Sequence, residues 1–151
     1  MTTGNFEVSM THPPLKGFIE AVVHEHGGAE PLSIVRTDQE WAVALKWRME
    51  GGLVQFVAGK WQIHLYLESV GPGPELRLPQ ANIEIEVPIN HKNGQYEYEF
   101  RVPPGVATVE HTTTLYKVVA AVTYITPYGD PGPMAGFVEG PILQFYEAAV
   151  S

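Results

Sequence analysis

From Trp41 to Val102 the side chains switch between apolar and polar at nearly every step, in runs separated by glycine and proline. "EWAVALKWRM" sets Trp41, Val43, Leu45, Trp47 and Met49 against Ala42, Ala44, Lys46 and Arg48. "KWQIHLYLES" sets Trp61, Ile63, Leu65 and Leu67 against Gln62, His64, Tyr66 and Glu68. "ANIEIEV" opposes Ile83, Ile85 and Val87 to Asn82, Glu84 and Glu86, and "QYEYEFRV" opposes Tyr96, Tyr98, Phe100 and Val102 to Glu97, Glu99 and Arg101. A two-residue period belongs to an extended chain whose successive side chains point to opposite faces. Strands dry on one face and wet on the other pair antiparallel.

Three further runs complete the pattern: Leu32 to Val35, "LYKVVAAVTYI" and the less regular "GPILQFYEA". The second is apolar on both sides, which predicts a central strand covered on both faces. Connectors such as "VGPGPELRLP" and "PINHKNGQ" carry the residues that turns require. From Pro31 onward the spacing predicts an all-β fold, an antiparallel seven-stranded sandwich of about 100 residues.

The short first strand, the Trp-bearing second, the Trp-led third, "YEYEFRVPPG" and "LYKVVAAVTY" together resemble an immunoglobulin-like or fibronectin type III-like sandwich, over roughly Pro31 to Ala148. The resemblance implies that Tyr116, near the start of the penultimate strand, anchors a backbone corner. The paired cysteines of antibody domains are absent, so no antibody-type function follows.

Ahead of this domain, residues 1–30 read as a polar tail, a short helix and a linker. In "HPPLKGFIEAVVHEHGG" a helix gathers Leu15, Phe18, Ile19, Val22 and Val23 into one stripe, with Lys16, Glu20, His24 and Glu25 away from it. Pro14 suits a first turn and Gly27 a helix end. A strand would put Phe18, Glu20, Val22 and His24 on one face, and Gly17 weakens a helix. The end signals favour the helix from Pro14 to His26, with "GGAEP" as linker to residues 31–151.

Composition narrows the function. A chain of 151 residues, 44 % hydrophobic and 17 % charged, buries a core without metals or disulfides. With no cysteine, thiol catalysis and thiolate metal sites are excluded. The charge of −8, with scattered Lys and Arg, predicts neither a nucleic-acid partner nor an anionic membrane surface. The start "MTTGNFEVSMTHPPLKG" has no secretion pattern and no apolar run is of membrane-spanning length, which predicts a soluble, cytoplasmic protein.

Two clusters bear on chemistry. "HEHGGAE" spaces His24, His26 and Glu30 as in the metal-binding half of a cupin motif, which it resembles. On a helix the two imidazoles would diverge by about 200°. The glycines and Pro31 interrupt the strand a cupin needs, and no second half of the motif surrounds His64 or His111. The ordinary alternative is solvated histidines at a helix end. Glu84, Glu86, Glu97 and Glu99 would line one face if their strands pair as a hairpin. A hard cation or a basic partner would relieve the repulsion, as would Lys92, Arg101 and solvent, or placement of the strands in different sheets. "GGLVQFVAGKW" lacks phosphate-loop spacing and no G-x-S-x-G elbow occurs. The Trp and Tyr residues read as packing rather than as a ligand platform.

"YGDPGPMAG" joins the last two strands and reads as a stiff turn, with Tyr128, Asp130, Met134 and Phe137 as a contact loop. The resulting expectation is a non-enzymatic interaction or assembly module without a cofactor. It would contact a protein partner or itself through the helix residues Leu15, Phe18, Ile19 and Val22 and through end loops. The alternatives are a cupin-like metal-dependent enzyme using His24, His26 and Glu30, or a small-ligand-binding β-barrel.

Overall fold

Alternation has the predicted outcome where it is strongest. Trp41, Val43, Leu45, Trp47 and Met49 are all buried, while Lys46, Arg48 and Glu50 face water. This pattern runs through a computed structural model that describes residues 2–8, 16–25, 33–52, 54–70, 76–78, 85–89, 93–105 and 113–147. Those residues form β1 (Thr2–Thr3), β2 (Asn5–Val8), β3 (Lys16–Glu25), β4 (Ile34–Arg36), β5 (Trp41–Glu50) and β6 (Lys60–Ser69). β7 (Leu76–Leu78), β8 (Ile85–Pro88), β9 (Gln95–Val102), β10 (Thr113–Ile125) and β11 (Pro131–Tyr146) follow.

Two sheets share them. The smaller has the order β1-β3-β5-β9; the larger runs β2-β11-β10-β6-β7, with β4 also on β11 and β8 also on β6. All pairings are antiparallel except β4 with β11. The described residues thus hold eleven strands rather than the seven expected. The additional ones are short, or lie where the sequence has no clean alternation.

The predicted helix is not formed. Lys16–Glu25 is β3, paired residue for residue with β5 from Lys16↔Glu50 to Glu25↔Trp41. The apolar stripe therefore divides: Ile19 is buried with Ala21 and Val23, while Phe18 and Val22 lie on the opposite face. A helix of about a dozen residues is marginal alone, and Gly17 lowers it further. A ten-residue ladder against an already apolar β5 wins. Leu15 and the linker Gly27 to Pro31 lie outside the described residues.

The described part of the tail, residues 2–8, is likewise largely strand. Gly4 marks a change of sheet: β1 pairs with β3 in one layer and β2 with β11 in the other. The Gly4 amide donates to the Ile19 carbonyl at 2.9 Å. A Cβ here would fall 2.0 Å from the Phe137 carbonyl oxygen, so only glycine permits the crossing.

Between the layers lies one core. Trp61 meets Trp47, Tyr96, Tyr124 and Phe6, with ring centroids 5.7 to 6.3 Å apart and steep interplanar angles. Edge-to-face contacts suit the ring quadrupoles. Burying each such side chain contributes about 1.5–3 kcal/mol. Phe6 closes one side: its ring occupies the space that a Cβ on Gly17 or on Gly136 would take. Tyr116 is buried on β10, edge-on to Phe145 at 5.4 Å.

The last strand explains its own irregularity. From Met134 to Val138 the even positions of β11 face the core, whereas Leu143 and Phe145 do so afterwards. The register to β10 shifts between Lys117↔Ile142 and Val119↔Glu139, so β11 carries one extra residue around Gly140 and Pro141. A bulge of this kind accommodates a proline within a sheet and reverses the phase of alternation.

Candidate interaction surface

The bulge determines what the larger sheet shows on its outer side. Past it, Ile142, Gln144 and Tyr146 turn outward in place of the odd-numbered Phe137 and Glu139. β10 places Leu115, Lys117, Val119, Ala121 and Thr123 on the same side, since its even positions fill the core. Register then aligns Ile34, Gln144 and Leu115 across β4, β11 and β10. Val70 joins them, its amide donating to the Leu115 carbonyl at 2.9 Å. Ile34, Val70, Leu115 and Ile142 are 55, 47, 43 and 50 % exposed.

Lys117 stands among these apolar groups, opposite Ile142 and Glu68 in register, and is 3.3 Å from Glu139. Farther along, Phe137 is exposed beside Ala121, and His64 stacks on Tyr66 at 6.2 Å and 19°. Lys60 and Glu86 form a pair at 2.7 Å. "LYKVVAAVTYI" is central as expected, but the described residues cover its second face only in part: Val119 is buried there, while Leu115 is exposed.

The predicted contact loop separates into three environments. Thr126 to Asp130 is a tight turn, closed by the Thr126 amide on the Asp130 carbonyl at 2.8 Å, with Gly129 at φ 88. Tyr128 is 93 % exposed at its tip and Asp130 is exposed beside it. Met134 is buried at 4 % and Phe137 lies on the outer face, both already within β11. The glycines and prolines of this stretch thus belong to a turn and then to a strand.

On the smaller sheet the acidic stripe is dispersed. β8 belongs to the larger sheet and β9 to the smaller, so Glu86 and the pair Glu97 and Glu99 are in different layers. Each has its own partner: Lys60 for Glu86, the His24 ring for Glu99 at 3.5 Å, and Lys46 opposite Glu97 in register. Glu84 lies outside the described residues.

His24 is on a strand, as a cupin-type pair requires, but both of its ring nitrogens are engaged. Nδ1 lies 2.7 Å from the Glu25 carbonyl oxygen and Nε2 faces Glu99. His26 and Glu30 lie outside the described residues, and among those described no three His, Asp or Glu side chains could together hold a metal ion. An open groove of about 670 Å³ crosses the outer face of this sheet, where the Arg48 guanidinium sits 4.5 Å over the Phe18 ring between Glu20, Lys46, Gln95 and Glu97. Glu20 and Glu97 both stand opposite Lys46 in register, and Arg48 pairs with Glu50 at 3.4 Å.

No protein-family model matches the chain, and no curated protein does. Among solved structures it is similar to AggA, the major subunit of aggregative adherence fimbriae type I from Escherichia coli. The TM-score is 0.44 at 9 % sequence identity, over 88 % of this chain and 96 % of that one.

The exposed row Ile34, Leu115, Val70 and the neighbouring Ile142 went unnoticed in the sequence. Its signal was there: a strand apolar on both sides, followed by a run whose alternation changes phase at "GP".

Proposed function

We propose that this chain is a non-enzymatic interaction or assembly module, an immunoglobulin-like sandwich that docks through the outer face of its larger sheet. The observation that carries this reading is the contiguous exposure of Ile34, Val70, Leu115 and Ile142 among the described residues. Large apolar side chains exposed in a cluster cost solvation free energy and mark interaction sites, whereas scattered ones do not. The two-layer arrangement and the buried Trp41 and Trp47 on β5 support the immunoglobulin-like description. Tyr128 and Asp130 at the turn tip offer a secondary contact.

A photo-crosslinking residue at 142 or 115, introduced in the native host, should give discrete protein adducts. The same residue at position 50 on the smaller sheet should not. Equal yields from both faces, or none from either, would remove the basis for this reading.

A further inference from the structure

We infer that the partner on this face is a second copy of the chain, the two larger sheets packing face to face about a two-fold axis; this rests on the docking reading above. Three observations favour a copy over a different protein.

The first is charge. The chain carries −8, but the described side chains on this face come close to balance: Arg36, Lys60 and Lys117 against Asp38, Glu68, Glu86 and Glu139. Two copies that repel elsewhere have little repulsion here, whereas a basic partner would find no acidic surface to recognise.

The second is self-complementarity. A two-fold interface must match its own pattern. Lys117 and Glu139 lie side by side, 3.3 Å apart, on adjacent strands at the border of the apolar patch. An axis lying between the sheets and passing over this pair sets each Lys117 over the partner copy's carboxylate and brings Ile142, opposite Lys117 in register, close to its counterpart.

The third is area. The long β6, β10 and β11, with the short β2, β4, β7 and β8 along their edges, give roughly 800 Å² per copy at about 4.8 Å between strands and about 3.3 Å per residue. A pair would then bury about 1,600 Å², the size of a specific, stable interface. Sheets stack in this way at about 10 Å with side chains interleaved.

The test is sedimentation velocity on the full chain across a concentration series, paired with hydroxyl-radical footprinting of Leu115 and Ile142. We expect a species of twice the 16.7 kDa chain mass. Ile142→Lys should weaken it at least about tenfold, and Phe18→Lys on the other sheet should not. Glu139→Lys should also weaken it, and adding Lys117→Glu should restore it. Circular dichroism confirms folding, and because all these positions are at least partly exposed each variant should fold. A dimer indifferent to Ile142→Lys would place the contact elsewhere and overturn the inference. A monomer whose Leu115 and Ile142 are oxidised would overturn it as well, while leaving the face free for another protein. A monomer with both residues protected would mean that the chain covers its own face, which overturns the docking reading too.

Discussion

The Nε2 of His24 on β3 lies 3.5 Å from a carboxylate oxygen of Glu99 on β9, although β5 runs between the two strands. Two strand spacings amount to about 9.6 Å, so the side chains must cross over β5. They can do so because β5 presents only Ala42 opposite His24 and Ala44 opposite Glu99. Ala42 is fully buried although it faces outward. Replacing it by leucine should therefore destabilise the fold by about 1–3 kcal/mol. His24→Ala should cost less than about 1 kcal/mol, because Glu99 is well exposed. Urea midpoints for both variants decide the matter, and an unchanged midpoint for Ala42→Leu would show that nothing is seated above it.

Phe6 and the glycines that receive it should behave as one unit. Phe6→Ala is expected to lose about 3–5 kcal/mol at most, less to the extent that the site collapses. Gly17→Ala and Gly136→Ala each place a methyl group where the ring now lies. In the Phe6→Ala background the same glycine substitutions should cost markedly less. A double-mutant cycle in guanidinium measures this coupling, and additive losses would contradict the packing described.

Tyr124 supplies the pH dependence. Burial raises its hydroxyl above the ordinary value of 10.0, and that hydroxyl donates to the Ala58 carbonyl. The unfolded chain loses the proton at the ordinary value and the folded chain only at a higher one. The phenol's contribution is thus complete below the ordinary value and disappears as pH rises through the raised one. Stability should fall as pH rises past the ordinary value of 10.0, and less steeply in Tyr124→Phe. Parallel slopes for the two proteins in urea titrations would show that other groups govern the alkaline limb.

The turn and the strand after it should respond oppositely to truncation. Tyr128→Ala, at a tip that is 93 % exposed, should shift stability by less than about 0.5 kcal/mol. Met134→Ala, six residues on and buried, should cost about 2–5 kcal/mol. Gly129→Ala should cost about 1 kcal/mol, since φ 88 disfavours any Cβ. Thermal unfolding of the three variants separates these outcomes, and a large loss from Tyr128→Ala would give the turn a structural role that its exposure does not suggest.

The strands that were legible in the sequence are those with strict alternation and a wet face. β5, β6 and β9 begin and end within a residue of where their period does. β3 misled because Phe18, Ile19, Val22 and Val23 satisfy a helical stripe as well as a pleat, and only the partner strand distinguishes the two. Gly17 held the clue, as a poor helix residue that makes room for Phe6. β1, β2 and β7 are too short for any period to register. The acidic stripe was misread for a different reason: proximity in sequence suggested a hairpin, but β8 and β9 enter separate sheets. On the site, the sequence pointed to an apolar central strand but not to the face it shares with Ile142, because the bulge at Gly140 and Pro141 moves Ile142 from one side to the other.

β11 collects β2, β4 and β10, and it is the last strand among the described residues. During synthesis, therefore, Asn5–Val8 leaves the ribosome long before Met134 to Phe137, with which it pairs. At about 5–20 residues per second that interval is on the order of ten seconds. The larger sheet cannot close within it, and Trp41, Trp61 and their neighbours have only part of their eventual cover. Nascent chains of this protein should accordingly depend on whatever shields apolar surface at the ribosome, and a stall before residue 131 should leave a product recognised as unfolded.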